Sequence, residues 1–528
     1  MKTRILAALL AASFTIASYA QNLNPQVQVT NDFKTEMGTV SKQTVAIEIP
    51  DSLTSFKRSV SYNVFSTPYK GAYEFLPYEI QITPQRPESD FHRFWLKAGA
   101  GYTFRPVLQA VWTPLRDVAN NTVSVYQDFK GYGGNYSTVD ARNDWSGHDW
   151  MENAGVSGHW FARDFTLGYG VDYKGIYTAD FNGKNLFHNI GVNADIHSDE
   201  GEKIAYEGRL NVNHASDKAV GLTGVRAEGS VHPDWVFPLE IRLDFGVDAD
   251  FYDKSGLDNL VVARISPKVL YEWNFLKFAA GVTLSPASDL QWLYPDLSVS
   301  ADFFDIGMQV YGTVTGGQYS RNYSDFKLAD HWFGLSYVNN IRPTLERLNA
   351  SLGLRGRAFS HLQYDLRGGW ASYTDAPMHS LKASAGDPAL YECGIAWVEY
   401  NLLYADALVA WRSRRVDSEL GFHFKKTNVT ANDNYLDLPR FSVNAAFTYN
   451  WSSRIYAGIW CEAQSKRDAL TIPVKGFVNL GLSGEYRLNK TLSVWAKAGN
   501  LLNQQIAISP LHAEKGMYLT AGVSLNLR

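Results

Sequence analysis

Few residues of this chain have the types and spacing that a chemical site requires. Cys393 and Cys461 are the only cysteines among 528 residues, too few for a disulfide framework or a multi-cysteine metal site. The acidic stretch 140–149 does not match the spacing of a calcium loop, and no predicted helix follows the glycines of 131–134 to hold a phosphate. No serine nucleophile elbow or His-Glu-x-x-His motif occurs. We therefore expect no enzyme, no cofactor and no metal site.

Charged residues with a more suggestive placement lie on segments in which every second residue is apolar. The candidates for the wall of a water-filled interior, facing a lumen, are Arg242, Asp244, Asp248, Asp250, Arg355, Arg357, Asp365 and Arg367. The last four of these residues flank a predicted tight turn, and Arg355 and Arg357 on one side of the turn face Asp365 and Arg367 on the other. They form either a polar track for a charged or sugar-like solute, or a wet wall whose charges pair across strands. The mixed signs favour the second interpretation.

Strands must position these charges, because hydrophobicity alternates with a period of two through most of the chain. From Ile241 to Phe251 the apolar residues occupy one parity and the polar residues the other, which gives a strand one dry and one wet face. Most such segments run 10–14 residues, longer than the ~5–6 residues of soluble strands and near the ~9–11 of tilted membrane strands. The same register predicts that Val478→Arg impairs membrane assembly and that Asn479→Arg is tolerated.

The segments predict an all-β fold, a transmembrane antiparallel up-and-down β-barrel over residues 91–528. We count 22 alternating segments and expect 20–24 strands. Short links alternate with long ones, as in barrels with short periplasmic turns and longer outer loops. The predicted long loops, with Leu390–Val398 taken as loop, are 133–150, 318–344, 375–397, 427–439, 464–473 and 501–514.

A barrel of this size has a wide lumen that must be filled. The candidates are long loops folded inward, an N-terminal arm or a partner protein. Two of the predicted loops carry aromatic residues that could anchor them: Trp145, Trp150, Trp332 and Phe333. These side chains either hold the loops inside the barrel or face outward as an adhesive surface, and the sequence leaves both open.

The N-terminal residues predict export. Residues 1–20 have the features of a secretory signal peptide, since Lys2 and Arg4 start the chain, Ile5–Ala17 is a mostly apolar run and Ser18-Tyr19-Ala20 fits a cleavage site. Residues 21–90 hold six of the 19 prolines, which predicts an extended arm rather than a packed domain. The net charge of −4 excludes a broad basic surface for nucleic acid. The mean hydropathy of −0.23 is too low for a helical membrane protein.

The C-terminal region resembles a known barrel family. Gly499-Asn500-Leu501-Leu502-Asn503-Gln504, an outer loop and a final strand containing Gly522-Val523-Ser524-Leu525 resemble the end of TonB-dependent receptor barrels. The region from Tyr294-Pro295-Asp296-Leu297 to Leu352-Gly353-Leu354 resembles their plugless relatives. The resemblance covers about residues 90–528 and implies a barrel of 22 strands, an outer-membrane location and, for true receptors, energised uptake. Residues 21–90 are too few for the globular plug of a true receptor, and no clear TonB box occurs.

Together these observations predict a TonB-dependent receptor-like barrel without a plug domain, exported to the cell outer membrane by a cleaved signal peptide. The expected function is a solute transport or receptor-type pore that is occluded by loops, by the N-terminal arm or by a partner. The alternative is a non-transporting structural subunit of an outer-membrane assembly or secretion complex. The expected partners are the lipid bilayer and lipopolysaccharide, with outer-membrane or periplasmic proteins as further candidates and no nucleic acid.

Overall fold

The computed structural model describes residues 93–527 apart from eleven short gaps: 115–119, 140–142, 181–182, 200–203, 234–238, 287–291, 304–306, 335–339, 384–390, 431–434 and 470–472. The predicted signal peptide and N-terminal arm lie outside the described residues. Within those residues, no helix combines the length and the apolar character needed to span a membrane.

The described residues form strands almost throughout. The strands are β1 Phe94–Tyr102, β2 Val107–Trp112, β3 Asn121–Thr138, β4 Asp144–Phe161, β5 Phe165–Asp180, β6 Gly183–Ser198, β7 Ile204–Ser216, β8 Gly221–Pro233, β9 Leu239–Asp253, β10 Leu260–Trp273, β11 Leu276–Leu284, β12 Leu293–Phe303, β13 Met308–Tyr319, β14 Thr344–Ala358, β15 Leu362–Ala383, β16 Tyr391–Arg412, β17 Val416–Val429, β18 Phe441–Trp451, β19 Ile455–Gln464, β20 Phe477–Arg487, β21 Leu492–Gly499, β22 Ile506–Ala507, β23 His512–Glu514 and β24 Tyr518–Leu527. One α-helix, α1 Tyr323–Ala329, follows β13.

Twenty-two of these strands close into one antiparallel ring, which confirms the predicted fold class and strand number. Each strand from β1 to β20 pairs with the next, β21 pairs with β24, and β24 returns to β1. The seam is in full register, because Phe94 lies opposite Leu527 and Tyr102 lies opposite Leu519. The remaining two strands, β22 and β23, form a small hairpin in the β21–β24 connection, and β23 also pairs with β3. Closure leaves no strand edge unpaired in the ring, as a lipid environment requires.

Alternation along each strand separates an apolar exterior from a polar interior. On β9 the side chains of Ile241 and Phe245 are 53% and 45% exposed, whereas Asp248 and Asp250 on the other face are 6% and 1% exposed. Apolar side chains can remain exposed on the outside of a barrel only where lipid replaces water. The exposed apolar residues therefore form the belt that the alternation predicts.

Two segments predicted as long loops are strands instead. The hairpin β3–β4 stays paired out to Ser137 and Asp144, and β15–β16 stays paired out to Ala383 and Tyr391. Leu390–Val398, taken as loop from the sequence, therefore belongs almost entirely to β16. At ~3.4 Å per residue, the 22 residues of β15 extend for about 70 Å, well beyond a hydrocarbon layer of ~30 Å even when tilted. Both hairpins thus continue past the membrane-spanning part of the barrel.

The proposed tolerance of Asn479→Arg also needs correction. Val478 is exposed on the outer face as expected, but Asn479 is only 9% exposed. Its side-chain oxygen accepts a hydrogen bond of 3.0 Å from the backbone N–H of Asn500. An arginine at this position would leave that buried donor without its partner, so Asn479→Arg should be harmful although the residue faces inward.

Candidate functional site

The connection between β13 and β14, residues 320–343, contains the helix α1 and is here called the crossing segment. Asn322 caps the helix: its side chain accepts a bond from the backbone N–H of Asp325, and the Asp325 carboxylate accepts one from the Asn322 N–H. This reciprocal capping box satisfies N–H groups that a helix start leaves unpaired. At the other end, the N–H of Asp330 donates to the carbonyl oxygen of Phe326. The helix is therefore short and defined at both ends.

The first half of the crossing segment is fastened to β9. The Asp250 carboxylate accepts hydrogen bonds from Ser320 Oγ and from Asn322 Nδ2, each 2.7 Å long. Asp250 is one of the predicted lumen-facing candidates, and these bonds give it a role in binding the segment. A nearly fully buried carboxylate needs such donors, because burial without them is costly.

The helix itself reaches two further strands of the same wall. Arg226 on β8 forms an ion pair with Asp325, and Asn189 on β6 donates a bond of 3.0 Å to Ser324 Oγ. Both partners of the ion pair are about one-third exposed, so solvent weakens this pair. The neutral bond between Asn189 and Ser324 is buried and is not weakened in this way.

Tyr323 adds an anchor outside the membrane-spanning strands. Its hydroxyl donates to the carboxylate of Asp217, in the β7–β8 connection. Burial raises the pKa of the Tyr323 phenol above its ordinary value, and the negative charge of Asp217 raises it further. The phenol is therefore held in its neutral, donating form.

Asp330 and His331, the two residues after α1, lie close to opposite sides of the ring. His331 Nδ1 lies 2.7 Å from a carboxylate oxygen of Asp149 on β4. The carboxylate of Asp330 lies within 4.8 Å of ligand atoms of His379 on β15 and Cys393 on β16. β4 and β15 are eleven strands apart, half of the 22-strand ring. Adjacent residues can lie this close to both sides only where the segment and the extended hairpins meet across the bore.

Apolar packing surrounds the crossing segment. Tyr323 and Phe333 are each 1% exposed, and Ile341 is 2% exposed. They pack with Phe326 and with side chains from β5 to β8, the β9–β10 connection and β16: Ile176, Phe187, Ala215, Val220, Leu222, Leu257 and Ile395. Trp397 on β16 completes the contact by donating from Nε1 to the carbonyl oxygen of Asn340 at 3.2 Å. The described residues of the segment, 320–334 and 340–343, are therefore packed against the barrel rather than extended into solvent.

A second apolar cluster joins five other connections and hairpins at the same end of the barrel. It is here called the roof cluster, and its members are Val139, Leu381, Leu436, Val474 and Ala513, each at most 3% exposed. They come from the β3–β4 turn, β15, the β17–β18 and β19–β20 connections and β23. Arg467, whose backbone pairs with that of Val474 in the β19–β20 connection, is partly buried, and desolvation lowers the pKa of its guanidinium.

The predicted candidates on β9 other than Asp250 form ion pairs within β9 and with residues of β7 and β10. Arg242 donates to Asp244 at 2.6 Å and also to Glu207 on β7 at 2.8 Å. The carboxylate of Asp244 also forms an ion pair with Lys268 on β10, whose Nζ lies 2.9 Å away. Arg264 on β10 donates to Asp248 at 3.1 Å. These contacts are of the cross-strand kind that the wet-wall interpretation expects.

The candidates on β14 and β15 follow the predicted turn only in part. Arg355 lies directly opposite Asp365, whereas Arg357 lies opposite Gln363 and Arg367 lies opposite Gly353. Asp365 accepts a bond of 2.8 Å from Tyr311, and Arg367 lies 3.5 Å from Asp406. Arg357 is exposed. The eight candidates are thus distributed along two separate walls, and a role in solute passage stays a prediction.

Comparison with known proteins addresses the fold. No protein-family model and no curated protein sequence matches the chain. Among solved structures, the copper transporter OprC is similar with a TM-score of 0.59 and 12% identity, over 84% of this chain and 81% of that one. The siderophore receptor PirA from Acinetobacter baumannii has a TM-score of 0.59 and 11% identity over 82% and 80% of the two chains. The ferric-catecholate import receptor Fiu from E. coli K12 has a TM-score of 0.59 and 8% identity over 83% and 82%.

This chain has the TonB-dependent receptor barrel fold. With identities of 12% or less, the likeness concerns the path of the backbone and carries no ligand across. Within this barrel, the crossing segment makes contacts with several parts of the wall. Of its residues, the sequence pointed to Trp332 and Phe333 through their aromatic character, but nothing in the spacing pointed to Asp330 and His331.

Proposed function

We propose that this protein is an outer-membrane barrel of the receptor or transport type, and that the crossing segment closes it at the end with the long connections. The observation that carries the proposal is that adjacent residues of the segment lie close to opposite sides of the ring: His331 Nδ1 is 2.7 Å from Asp149 on β4, and the Asp330 carboxylate is within 4.8 Å of ligand atoms on β15 and β16. A signal peptide at residues 1–20 and an apolar belt facing lipid and lipopolysaccharide fit the proposed location. The lumen of a 22-strand barrel would leak if nothing filled it.

Opening such a closure requires energy from outside the barrel. Tyr323 and Phe333 are buried in the closed state, and exposing each side chain to water costs about 1.5–3 kcal/mol. The hydrogen bonds of Asp250 and the buried Asn189–Ser324 bond would also have to exchange with water. A ligand or partner that binds the open state better than the closed one would supply this energy. A receptor-type pore is expected to behave in this way.

Conductance in planar bilayers tests the proposal. Tyr319 and Thr344 are paired in register, so two glycines can replace residues 321–342 without stretching the hairpin. We expect the full chain to be silent, the deletion variant to conduct, and Phe359→Ala to remain silent. Phe359 serves as the control because it lies at the other end of β14 and is 83% exposed.

A second deletion distinguishes the crossing segment from the N-terminal arm. Conductance after removal of residues 21–90 alone would assign the closure to the arm. If both deletion variants fold, insert and stay silent, the pore is refuted.

The roof cluster favours the second candidate function, a structural subunit that does not transport. Five connections and hairpins packed through side chains at most 3% exposed form a closure that is hard to open. Such a barrel would act as a docking subunit of an outer-membrane assembly or secretion complex. Affinity purification in mild detergent should then recover stoichiometric protein partners, whereas a monodisperse monomer would count against it.

A further inference from the structure

The structure brings together three metal-ligating side chains that the sequence keeps far apart. Asp330 ends α1, His379 lies on β15 and Cys393 lies on β16, and one ligand atom of each lies within 4.8 Å of the other two. Asp330 is 6% exposed, whereas His379 and Cys393 are only partly buried. The cluster therefore combines a buried carboxylate with two partly buried donors.

The distances within the cluster suit a metal ion. His379 Nδ1 and Cys393 Sγ are 3.5 Å apart, and donors in a tetrahedral zinc site with bonds of ~2.0–2.3 Å lie about 3.3–3.8 Å apart. All three ligand atoms lie within 4.8 Å of one another, so no pair of donors needs to approach by more than about 1 Å in such a site. Asp330 also accepts hydrogen bonds of 3.0 Å from Ser509 Oγ and from the Trp332 N–H. Bonds of this kind orient a ligating carboxylate.

The arrangement does not match a catalytic triad. In a cysteine–histidine–aspartate triad the acid holds the ring nitrogen that faces away from the sulfur. Here one ring nitrogen of His379 lies within 4.8 Å of both the carboxylate of Asp330 and the sulfur of Cys393. The three donors converge on one point, as ligands do, instead of lining up as a proton relay.

We propose that Asp330, His379 and Cys393 bind a divalent transition-metal ion of the zinc type, with the remaining coordination position open to water. Thiolate and imidazole donors select zinc and similar ions over calcium and magnesium, which prefer oxygen. The proposal differs from the sequence-based expectation of no metal, which rested on the number of cysteines and on the absence of calcium-loop and His-Glu-x-x-His spacings. It does not depend on the proposed transport function.

Arg467 provides a charge-based test of the same site. Its guanidinium interacts electrostatically with Asp330 and with Cys393. A positive charge that interacts with two of the three donors opposes a metal cation and balances Asp330 when the ion is absent. Replacing it by a neutral side chain, Arg467→Gln, should therefore tighten metal binding.

Cobalt is the probe for the experiment, because a Co²⁺–thiolate bond absorbs in the near ultraviolet. Full-length protein folded in detergent is titrated with CoCl₂, and ZnCl₂ is then added. We expect a cobalt–thiolate band. Zinc should abolish this band, whereas calcium and magnesium should leave it unchanged. Cys393→Ser should lose the band, and His379→Gln and Asp330→Asn should each weaken cobalt binding at least tenfold.

Cys461→Ser is the matched control, since Cys461 is the only other cysteine and lies on β19, outside the cluster. Heat modifiability on gels establishes that each variant is folded. Absence of the band from the wild-type protein, or an equal band in folded Cys393→Ser, would overturn the proposal. Neither result bears on conductance, so the metal site and the pore fail or stand separately.

Discussion

Adjacent alanines on β18 allow a direct test of which side of the barrel meets lipid. β18 has eleven residues, Phe441–Trp451, and Ala446 is its central one. Ala445 pairs with Leu420 of β17 and has the parity of the exposed side chain of Phe447. Ala446 has the opposite parity and therefore faces the interior. Arginine introduced at either alanine makes the same chemical change on opposite faces of one strand.

The expected magnitude follows from depth in the membrane. Eleven residues at ~3.4 Å each, tilted by ~45°, rise about 26 Å and match an apolar band of ~25 Å. Ala445 therefore lies near the midplane, where a lipid-facing arginine costs about 2–4 kcal/mol. Ala445→Arg should reduce the folding equilibrium constant about 30- to 700-fold. Ala446 lies opposite Glu419 and Trp460. An arginine at position 446 could therefore form an ion pair with Glu419 and a cation–π contact with the ring of Trp460.

The measurement is a urea titration of each variant in lipid vesicles, with the folded fraction read from heat modifiability and tryptophan fluorescence. We expect the urea midpoint of Ala445→Arg to fall well below that of wild type. The free energy of unfolding of Ala446→Arg should stay within about 0.5 kcal/mol of the wild-type value. Equal losses for the two variants would refute the assigned faces. A loss confined to Ala446→Arg would reverse them.

Two further predictions concern the crossing segment. Phe333→Ala should destabilise the packing of the segment by about 3–5 kcal/mol, so that protease cleaves within residues 320–343 while the barrel stays heat-modifiable. Phe359→Ala, at an exposed position, is the control. Equal protection from protease in both variants would contradict the packing described. Because burial and Asp217 raise the pKa of Tyr323, the stabilisation from its neutral phenol is complete below pH ~10 and is lost as pH rises through the raised value. The stability difference between wild type and Tyr323→Phe in urea should therefore shrink in strong alkali, and a difference that grows would be inconsistent with the Tyr323–Asp217 bond.

The sequence predicted the barrel well because lipid imposes a simple rule on it. Where a strand crosses the membrane, one face must be apolar, and Ile241–Phe251 shows the resulting alternation without exception on its apolar parity. The extended hairpins were missed for the same reason. Beyond the bilayer, the outside of a strand meets water and need not be apolar, and on β15 a register shift between Tyr373 and Ala376 interrupts the alternation near Asp375.

The cluster at the end of the crossing segment could not be predicted from spacing. Asp330, His379 and Cys393 belong to three different elements, and they meet only because the segment and the β15–β16 hairpin converge. Alternation gives no information about such convergence. The inward direction of the β9 charges was easier to predict, because alternation places Asp250 and its charged neighbours on one strand face. The bonds of Asp250 to Ser320 and Asn322 could not be predicted in this way, because they depend on the helix cap of the crossing segment.

The contacts of Asp330 and His331 also have a mechanical consequence. A wide cylinder of strands offers little resistance to flattening, since its circumference can stay constant while its cross-section becomes oval. A brace between β4 and the β15–β16 hairpin fixes one diameter and so limits this softest deformation. Lateral pressure from the surrounding lipid would then be carried partly by the brace, and cutting it should let the rim ovalise even if every strand pair stays intact.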